Sequence, residues 1–459
     1  MSKTVIAIAG PSGAGKTTLA SLINFLQERK STTIISGDSF HLWPRNDSNW
    51  NTHTHLNPAA NDLAGAFKVI SELKSGKDVP LRRYNHDTGK FDEPKLQKSN
   101  DVIIYEGLHA LYGEDILSIA DLKIYVDTSP ELTREWKIAR DTSSRGYKSE
   151  DVEKELIRRE KDQKKYIEVQ KEFADVVVRL EKRKNKVRLK VVKGNLPFLQ
   201  EVFEAMEDFL TIGRELSSDI SLVHGAGGNF SVKVEGRDSF IIKSSGIDIS
   251  SIDITQGFVL CDRGSIAVAN SEREYNTFLQ KSALQGTGRP SMETGFHASL
   301  DARVVVHCHP VYLNAILCSN ESREVIRKLF SDYLYIPYTT PGYKLHSSIG
   351  KGYKKIIFLE NHGLIVASEC VDEAIDIAKS INEACRDYLR ERNINTLNHL
   401  HPTPQPLFPD MVIFPEGLKV INDFILNLIV NAGLHPRFLT NEQKEELLIL
   451  EAEKYRKNL

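Results

Sequence analysis

A chain of 459 residues is too long for one ordinary core, so two or three domains are expected. Its formal net charge of −2 and its 27% of charged residues exclude a polyanion-binding composition. No apolar run approaches the roughly 18–20 residues of a spanning helix, so neither nucleic acid nor membrane is an expected partner.

The opening MSKTVIAIAG reads as a strand and not as a basic-then-apolar leader. The five cysteines (Cys261, Cys308, Cys318, Cys370 and Cys385) are odd in number, unevenly spaced and confined to the second half. Reduced thiols in a cytoplasmic protein are the simplest reading. The first half alternates apolar segments (VIAIAG, TIISGD, DVIIYEG, LKIYVDT) with helical patterns, which predicts a parallel sheet with crossover helices. The basic run LEKRKNKVRLKVVKGN reads as a solvated strand edge with its connection. A helical stretch, FLQEVFEAMEDFLTIGREL, opens a second α/β segment. The boundary is placed near residue 205, giving domains at 1–205 and 206–400, with 401–459 as a helical extension after the proline-rich HPTPQPLFPD.

GPSGAGKTT, Gly10 to Thr18, fits G-x-x-x-x-G-K-[ST] between a strand and a helix. The glycines Gly10, Gly13 and Gly15, with Ser12, let backbone N–H groups wrap the phosphates of ATP at a helix N-terminus, where Thr18 follows. Lys16 is expected on the β/γ-phosphates and the Thr17 hydroxyl on Mg2+. In GDSFHLWPR, Asp38 stands at the C-terminal end of the second strand, where a carboxylate can accept the proton of an acceptor hydroxyl. Glu106 closes DVIIYEG as a second magnesium anchor or water-orienting group. Each acid also reads as a helix cap or loop residue when taken alone.

These motifs, together with LNPAANDL, YNHDTGKFDEP, EGLHALY, IYVDTSP, WKIARDTSSRGYKSEDV and YIEVQKEFADVVV, resemble the phosphoribulokinase and uridine kinase family over roughly residues 4–180. YNHDTGKFDEP and RDTSSRGY favour phosphoribulokinase over uridine kinase. The resemblance implies a P-loop kinase fold with Asp38 as the base on the sugar hydroxyl. It places His41, Arg45 and His86 on the sugar phosphate, and Lys137, Arg140 and Arg145 on ATP and the transferring phosphoryl group. Cations are suited to clamping charge spread over phosphoryl oxygens, although helix-surface solvation is the plain alternative. No cysteine lies near the P-loop, so thiol control of the photosynthetic kind is not expected.

In VVVHCHPVYL, His307 and His309 are two residues apart. On a strand such residues share a face, about 6.5 Å apart, with Cys308 pointing away. Imidazoles so placed can hold zinc, with His362 of IIFLENHGLIVAS as a third ligand; buried structural histidines are the alternative. HGAGGNFSVK offers Asn229 and Ser231, IIKSSGIDIS offers Ser245 and Gly246, and GRPSMETGFH offers Ser291 and Glu293. Such loops suit a neutral anion cradle, or simply turns. Glu293 and His297, four apart on a predicted helix, keep open a Glu–His ligand pair.

Together these segments resemble the class II aldolase and adducin family over roughly residues 211–390. The resemblance implies His307, His309 and His362 as Zn2+ ligands and Glu293 as acid/base. Asn229, Ser245, Gly246 and Ser291 match its substrate-phosphate positions. Met292 replaces one of its serines, while Glu293, where the epimerases carry Asp, favours an aldolase. A homo-oligomer, tetrameric or related, acting on sugars or sugar phosphates is implied. The joint expectation is ATP-dependent phosphorylation of a ketose at C1, followed by zinc-dependent retro-aldol cleavage to dihydroxyacetone phosphate and an aldehyde. Two alternatives stay open. In one, an active sugar or nucleoside kinase carries a non-catalytic aldolase/adducin-like oligomerisation module; in the other it carries an epimerase or dehydratase domain.

Overall fold

The computed structural model describes residues 3–27, 30–143, 148–183, 186–224, 227–254, 256–267, 269–286, 288–350, 354–392 and 405–450. It divides into two compact units, residues 1–204 and 205–459.

In the first unit β1 (Thr4–Ala9) leads into α1 (Lys16–Leu26), β2 (Thr32–Ser36) and α2 (Leu63–Lys74). Then come β3 (Val102–Gly107), β4 (Leu122–Val126), α3 (Pro130–Ser143), α4 (Ser149–Asp162), β5 (Val176–Arg183) and β6 (Lys186–Lys193). The sheet order is β6-β5-β4-β1-β3-β2. All neighbours are parallel except β5 and β6, whose antiparallel edge carries the basic run. Residues Val5 to Ala9 and the whole of β3 are buried, as expected of strands covered on both faces. Ala66, Ile70 and Leu73 of α2 join Val5, Ala7 and Ile103 in one core. From β1 the chain crosses to β2 on one side, and from β3 it crosses to β4 on the other. The C-terminal ends of β1 and β3 therefore form the crevice where open α/β sheets bind ligands.

The division between the units falls within α5 (Leu199–Ser217). The second unit continues with β7 (Asn229–Lys233), β8 (Ser239–Lys243), β9 (Phe258–Asp262), α6 (Glu272–Ser282), β10 (Ala283–Gly286) and α7 (Thr294–Ser299). It proceeds through β11 (Val304–Cys308), α8 (Val311–Leu317), β12 (Leu334–Ile336), β13 (Ile356–Leu359), β14 (Gly363–Ser368) and α9 (Val371–Glu391). Its eight-stranded sheet has the order β10-β9-β8-β7-β11-β14-β13-β12 and is antiparallel except between β12 and β13. Phe296 and Leu300 pack with Val305, Ile357, Ile365 and Ala367 on one face.

The chain closes with α10 (Pro409–Ile413), α11 (Pro415–Asn431) and α12 (Asn441–Ile449). Proline starts α10 and α11, where its missing N–H costs no helical bond. A reciprocal Thr440–Gln443 capping box starts α12. No helix among the described residues is long and apolar enough to cross a membrane.

Candidate functional site

In the first unit, the loop after β1 turns back through Gly13 (φ +83°) and Gly15 (φ +89°) before α1 begins at Lys16. These angles suit glycine, and the packing leaves little room for a side chain. A Cβ on Gly13 would lie 3.1 Å from Lys137 Cβ, and one on Gly15 would lie 2.9 Å from Leu180. Ser12, Gly13, Gly15, Lys16, Thr17 and Thr18 line a cavity of about 740 Å³ with Asp38, Glu106 and Arg140. Lys16 donates from Nζ to the Pro11 carbonyl at 2.9 Å, a contact that phosphate oxygens can replace. Burial lowers the Lys16 ammonium and raises the Glu106 carboxyl from their usual ranges.

Asp38 lies beside this cavity, where a Cβ on Gly37, just after β2, would lie 3.0 Å from the Cα of Gly107 at the end of β3. Its carboxylate lies 3.0 Å from His86 Nε2 and 3.4 Å from His41 Nε2. Burial opposes its ionisation, but the two imidazoles win and hold the carboxyl well below its usual range. His41 is fixed by the Asn61 side chain at 2.8 Å. An adjoining cavity of about 390 Å³ is lined by Asp38, His41, Arg45, His86, Lys137 and Arg140. The residues placed at the sugar and at the transferring phosphoryl thus meet in one space. Arg145 lies outside the described residues, and so do residues 401–404 of the proline-rich segment.

The same cavity holds Tyr84, His55, Asp141, Arg158 and Arg159, which the sequence reading missed. Asp141 pairs with Lys137 at 3.1 Å and with Arg140 at 2.9 Å, aligning both cations. Burial, assisted by Arg159, pushes the Lys137 ammonium down to about 8. Arg158 and Arg159 sit in IRREKD, a charge run that reads as helix surface until the fold turns one side inward.

In the second unit, His307 is on β11, His309 immediately follows that strand, and His362 immediately precedes β14. The ligand atoms of the three histidines lie within 4.8 Å of one another, all buried. His307 donates from Nδ1 to the Leu364 carbonyl at 2.9 Å, which leaves its Nε2 to face His309 Nε2 at 3.0 Å. Two imidazole nitrogens so close suit a shared cation. Burial pushes His309 down to about 4 and His362 down to about 3, so both offer neutral nitrogens at pH 7. Glu293 closes the set, with Oε2 3.5 Å from His307 Nε2 and Oε1 3.5 Å from His362 Nε2. Glu293 Oε1 is buried without a hydrogen-bond partner. Three nitrogen donors beside a carboxylate with one orphaned oxygen fit zinc.

His297 is not part of the metal set. Its Nε2 bonds Asn229 Oδ1 at 2.5 Å and its Nδ1 bonds Ser231 Oγ at 2.8 Å, so both ring nitrogens are engaged. This closes the Glu293–His297 ligand alternative. Asn229 in turn donates to Glu293 Oε2 at 2.7 Å and to Ser291 Oγ at 3.3 Å. Ser245, Gly246 and Ser291 line one small pocket with Asn229, Glu293, His309 and His362. Little free space remains between these side chains, about 30 Å³. Met292 uses its carbonyl to accept from Tyr275, which clamps the turn carrying Glu293. Lys243, a fully buried lysine at the end of β8, also lines the pocket. Its burial is what marks it.

Residues 5–187 match the phosphoribulokinase / uridine kinase family profile, and residues 207–389 match the class II aldolase and adducin N-terminal domain. Over 203 residues the chain is 31% identical to a uridine kinase of Staphylococcus aureus, covering 43% of this chain and 96% of that one. The chain belongs to the phosphoribulokinase and uridine kinase family. Its second half adds a class II aldolase-type domain. It is also 37% identical over 176 residues to phosphoribulokinase of Synechocystis sp., 38% of this chain and 53% of that one. It thus spans about half the length of the curated phosphoribulokinases it matches. Among solved structures, it is similar to the N-terminal class II aldolase domain of a conserved protein from Thermoplasma acidophilum. That match has 26% identity and a TM-score of 0.37, and covers 40% of this chain and 93% of that one.

Proposed function

We propose that the chain is a bifunctional sugar enzyme, which phosphorylates a ketose phosphate at C1 with ATP and then cleaves the resulting ketose 1-phosphate, a bisphosphate, by a retro-aldol reaction. The observation that carries this reading is the completeness of the second site. An oligomerisation module needs neither three converging imidazoles nor a buried carboxylate beside an anion cradle.

In the first site the acceptor hydroxyl attacks the γ-phosphorus and the bond to ADP breaks, while Asp38 receives the hydroxyl proton. Lys16 holds the β/γ-phosphates, with Thr17 and Glu106 the residues that would hold Mg2+. Lys137 and Arg140, aligned by Asp141, face the charge that develops on the phosphoryl oxygens. His41, Arg45 and His86, together with Arg158 and Arg159, favour an acceptor that itself carries a phosphate. Because the Lys137 ammonium is lowered to about 8, it loses its charge as pH rises through that value. The kcat/KM for phosphorylation is expected to fall above about pH 8, and Lys137→Arg to move that limb upward. Coincident limbs in the two proteins would contradict the role.

In the second site His307, His309 and His362 would hold Zn2+. When bound, the ion supplies Lewis-acid stabilisation of the negative charge left as C3–C4 breaks. Asn229, Ser245, Gly246 and Ser291 receive the C1 phosphate, and Lys243, which lines the same pocket, adds a cation to them. As C3–C4 breaks, the C4 hydroxyl gives up its proton to solvent and C4 leaves as the carbonyl of an aldehyde, while Glu293 delivers a proton to C3, giving dihydroxyacetone phosphate. Lys243→Met is expected to raise KM for a ketose 1-phosphate by about 10–100-fold, the loss of a charge-assisted contact, with a smaller effect on kcat. The reading is tested by supplying ketose 1-phosphates, with and without a second phosphate at the far end of the sugar, to zinc-loaded protein without ATP. Dihydroxyacetone phosphate is the expected product; an epimerised or dehydrated product would reassign the domain, and no turnover would favour the oligomerisation module.

A further inference from the structure

We infer that Asp410, on the C-terminal segment beyond the aldolase-type domain, is the positioning carboxylate of His309 and completes the metal centre. The inference rests on the zinc reading above and adds a residue from outside the matched region, which ends at 389.

The geometry is specific. Asp410 is buried at 4% exposure, and its Oδ2 lies 3.1 Å from His309 Nδ1. His309 Nε2, the opposite nitrogen of the ring, faces His307. Asp410 therefore stands behind the ligand and outside the ligand set. His307 has a neutral carbonyl, that of Leu364, in the equivalent place. A carboxylate at Nδ1 fixes the proton there, leaves the Nε2 lone pair toward the metal and makes that nitrogen a stronger donor.

Two glycines make room for this arrangement. A Cβ on Gly227 would lie 2.5 Å from Asp410 Oδ2 and 2.8 Å from His309 Nδ1. A Cβ on Gly363 would lie 2.8 Å from the opposite side of the same ring, at Cδ2.

The segment is also tied to the site. Asn361, adjacent to His362 and in the left-handed region at φ +52°, donates to the carbonyls of Leu407 at 2.8 Å and Arg437 at 2.7 Å. Leu407 and Phe408 are fully buried, and Phe408 packs edge-on against His224. The residue before one metal ligand thus anchors the strand of chain that supports another.

The test is the zinc dissociation constant of the full chain, measured by competition with a chromophoric chelator, for wild type, Asp410→Asn and Asp410→Ala. Asparagine keeps an acceptor but loses the charge, whereas alanine loses both. Affinity is expected to fall about 10-fold in the first and about 100-fold in the second. A merely structural role would lower the melting temperature of the metal-free chain and leave zinc affinity unchanged; that result overturns the inference. If the alanine variant fails to fold, the isosteric asparagine variant decides alone. Wild-type protein that binds no zinc overturns the metal reading and this inference together. Tight binding by wild type and variants alike overturns only the inference.

Discussion

Glu293→Gln is expected to reduce cleavage of a ketose 1-phosphate by about 10³-fold while leaving ATP-dependent phosphorylation at the wild-type rate. The magnitude is that of removing a positioned acid/base group. Glutamine is nearly isosteric, and its carbonyl can still accept from Asn229, which now donates to Glu293 Oε2 at 2.7 Å. The clamp from Tyr275 to the Met292 carbonyl is untouched, so the turn keeps its shape. The variant therefore separates chemistry from folding. Dihydroxyacetone phosphate release is the readout for one activity and ADP release for the other. Cleavage within a few-fold of wild type would remove Glu293 from the proton transfer.

Asp38→Asn carries the complementary expectation: ADP formation falls by about 10³-fold and cleavage of supplied ketose 1-phosphate is unaffected. Asp38 is the carboxylate common to the nucleotide and acceptor cavities that His41 and His86 hold at 3.4 Å and 3.0 Å. Its depressed pKa keeps it ionised at neutral pH and able to receive a proton throughout that range. Asparagine preserves the hydrogen-bonding size of the side chain but cannot take the proton. An effect confined to KM would mean that Asp38 positions the sugar without acting as the base.

How much of this was legible in the sequence depended on whether the signal was local. The P-loop, the acid after β2 and the His-x-His pair each announce themselves within a few residues. Their backbone geometry, a tight glycine turn or the period of a strand, is set by neighbours in the chain. Arg158 and Arg159 were hidden because an amphipathic charged helix looks alike whether its cations face water or a cavity. Lys243 was hidden because strand alternation says nothing about what encloses a lysine. Glu293 and His297 share helical spacing, which suggested a ligand pair, yet His297 donates from Nε2 to Asn229 Oδ1 and bonds Ser231 Oγ through Nδ1, so both of its nitrogens are claimed. Asp410 was the least legible. It closes a stretch that reads as a proline-rich connection, in the first turn of α10, and its role arises only when Asn361 ties that segment beside the histidines.

The central claim is that one chain makes a ketose 1-phosphate and then consumes it. The direct measurement follows ADP and dihydroxyacetone phosphate together, with zinc-loaded protein, ATP, Mg2+ and a panel of ketopentoses and their 5-phosphates. The account predicts that one substrate, a phosphorylated one, yields dihydroxyacetone phosphate in step with ADP, and that Glu293→Gln leaves ADP while abolishing the second product. ADP formed with a ketose 1-phosphate that accumulates uncleaved in the zinc-loaded wild type would contradict it.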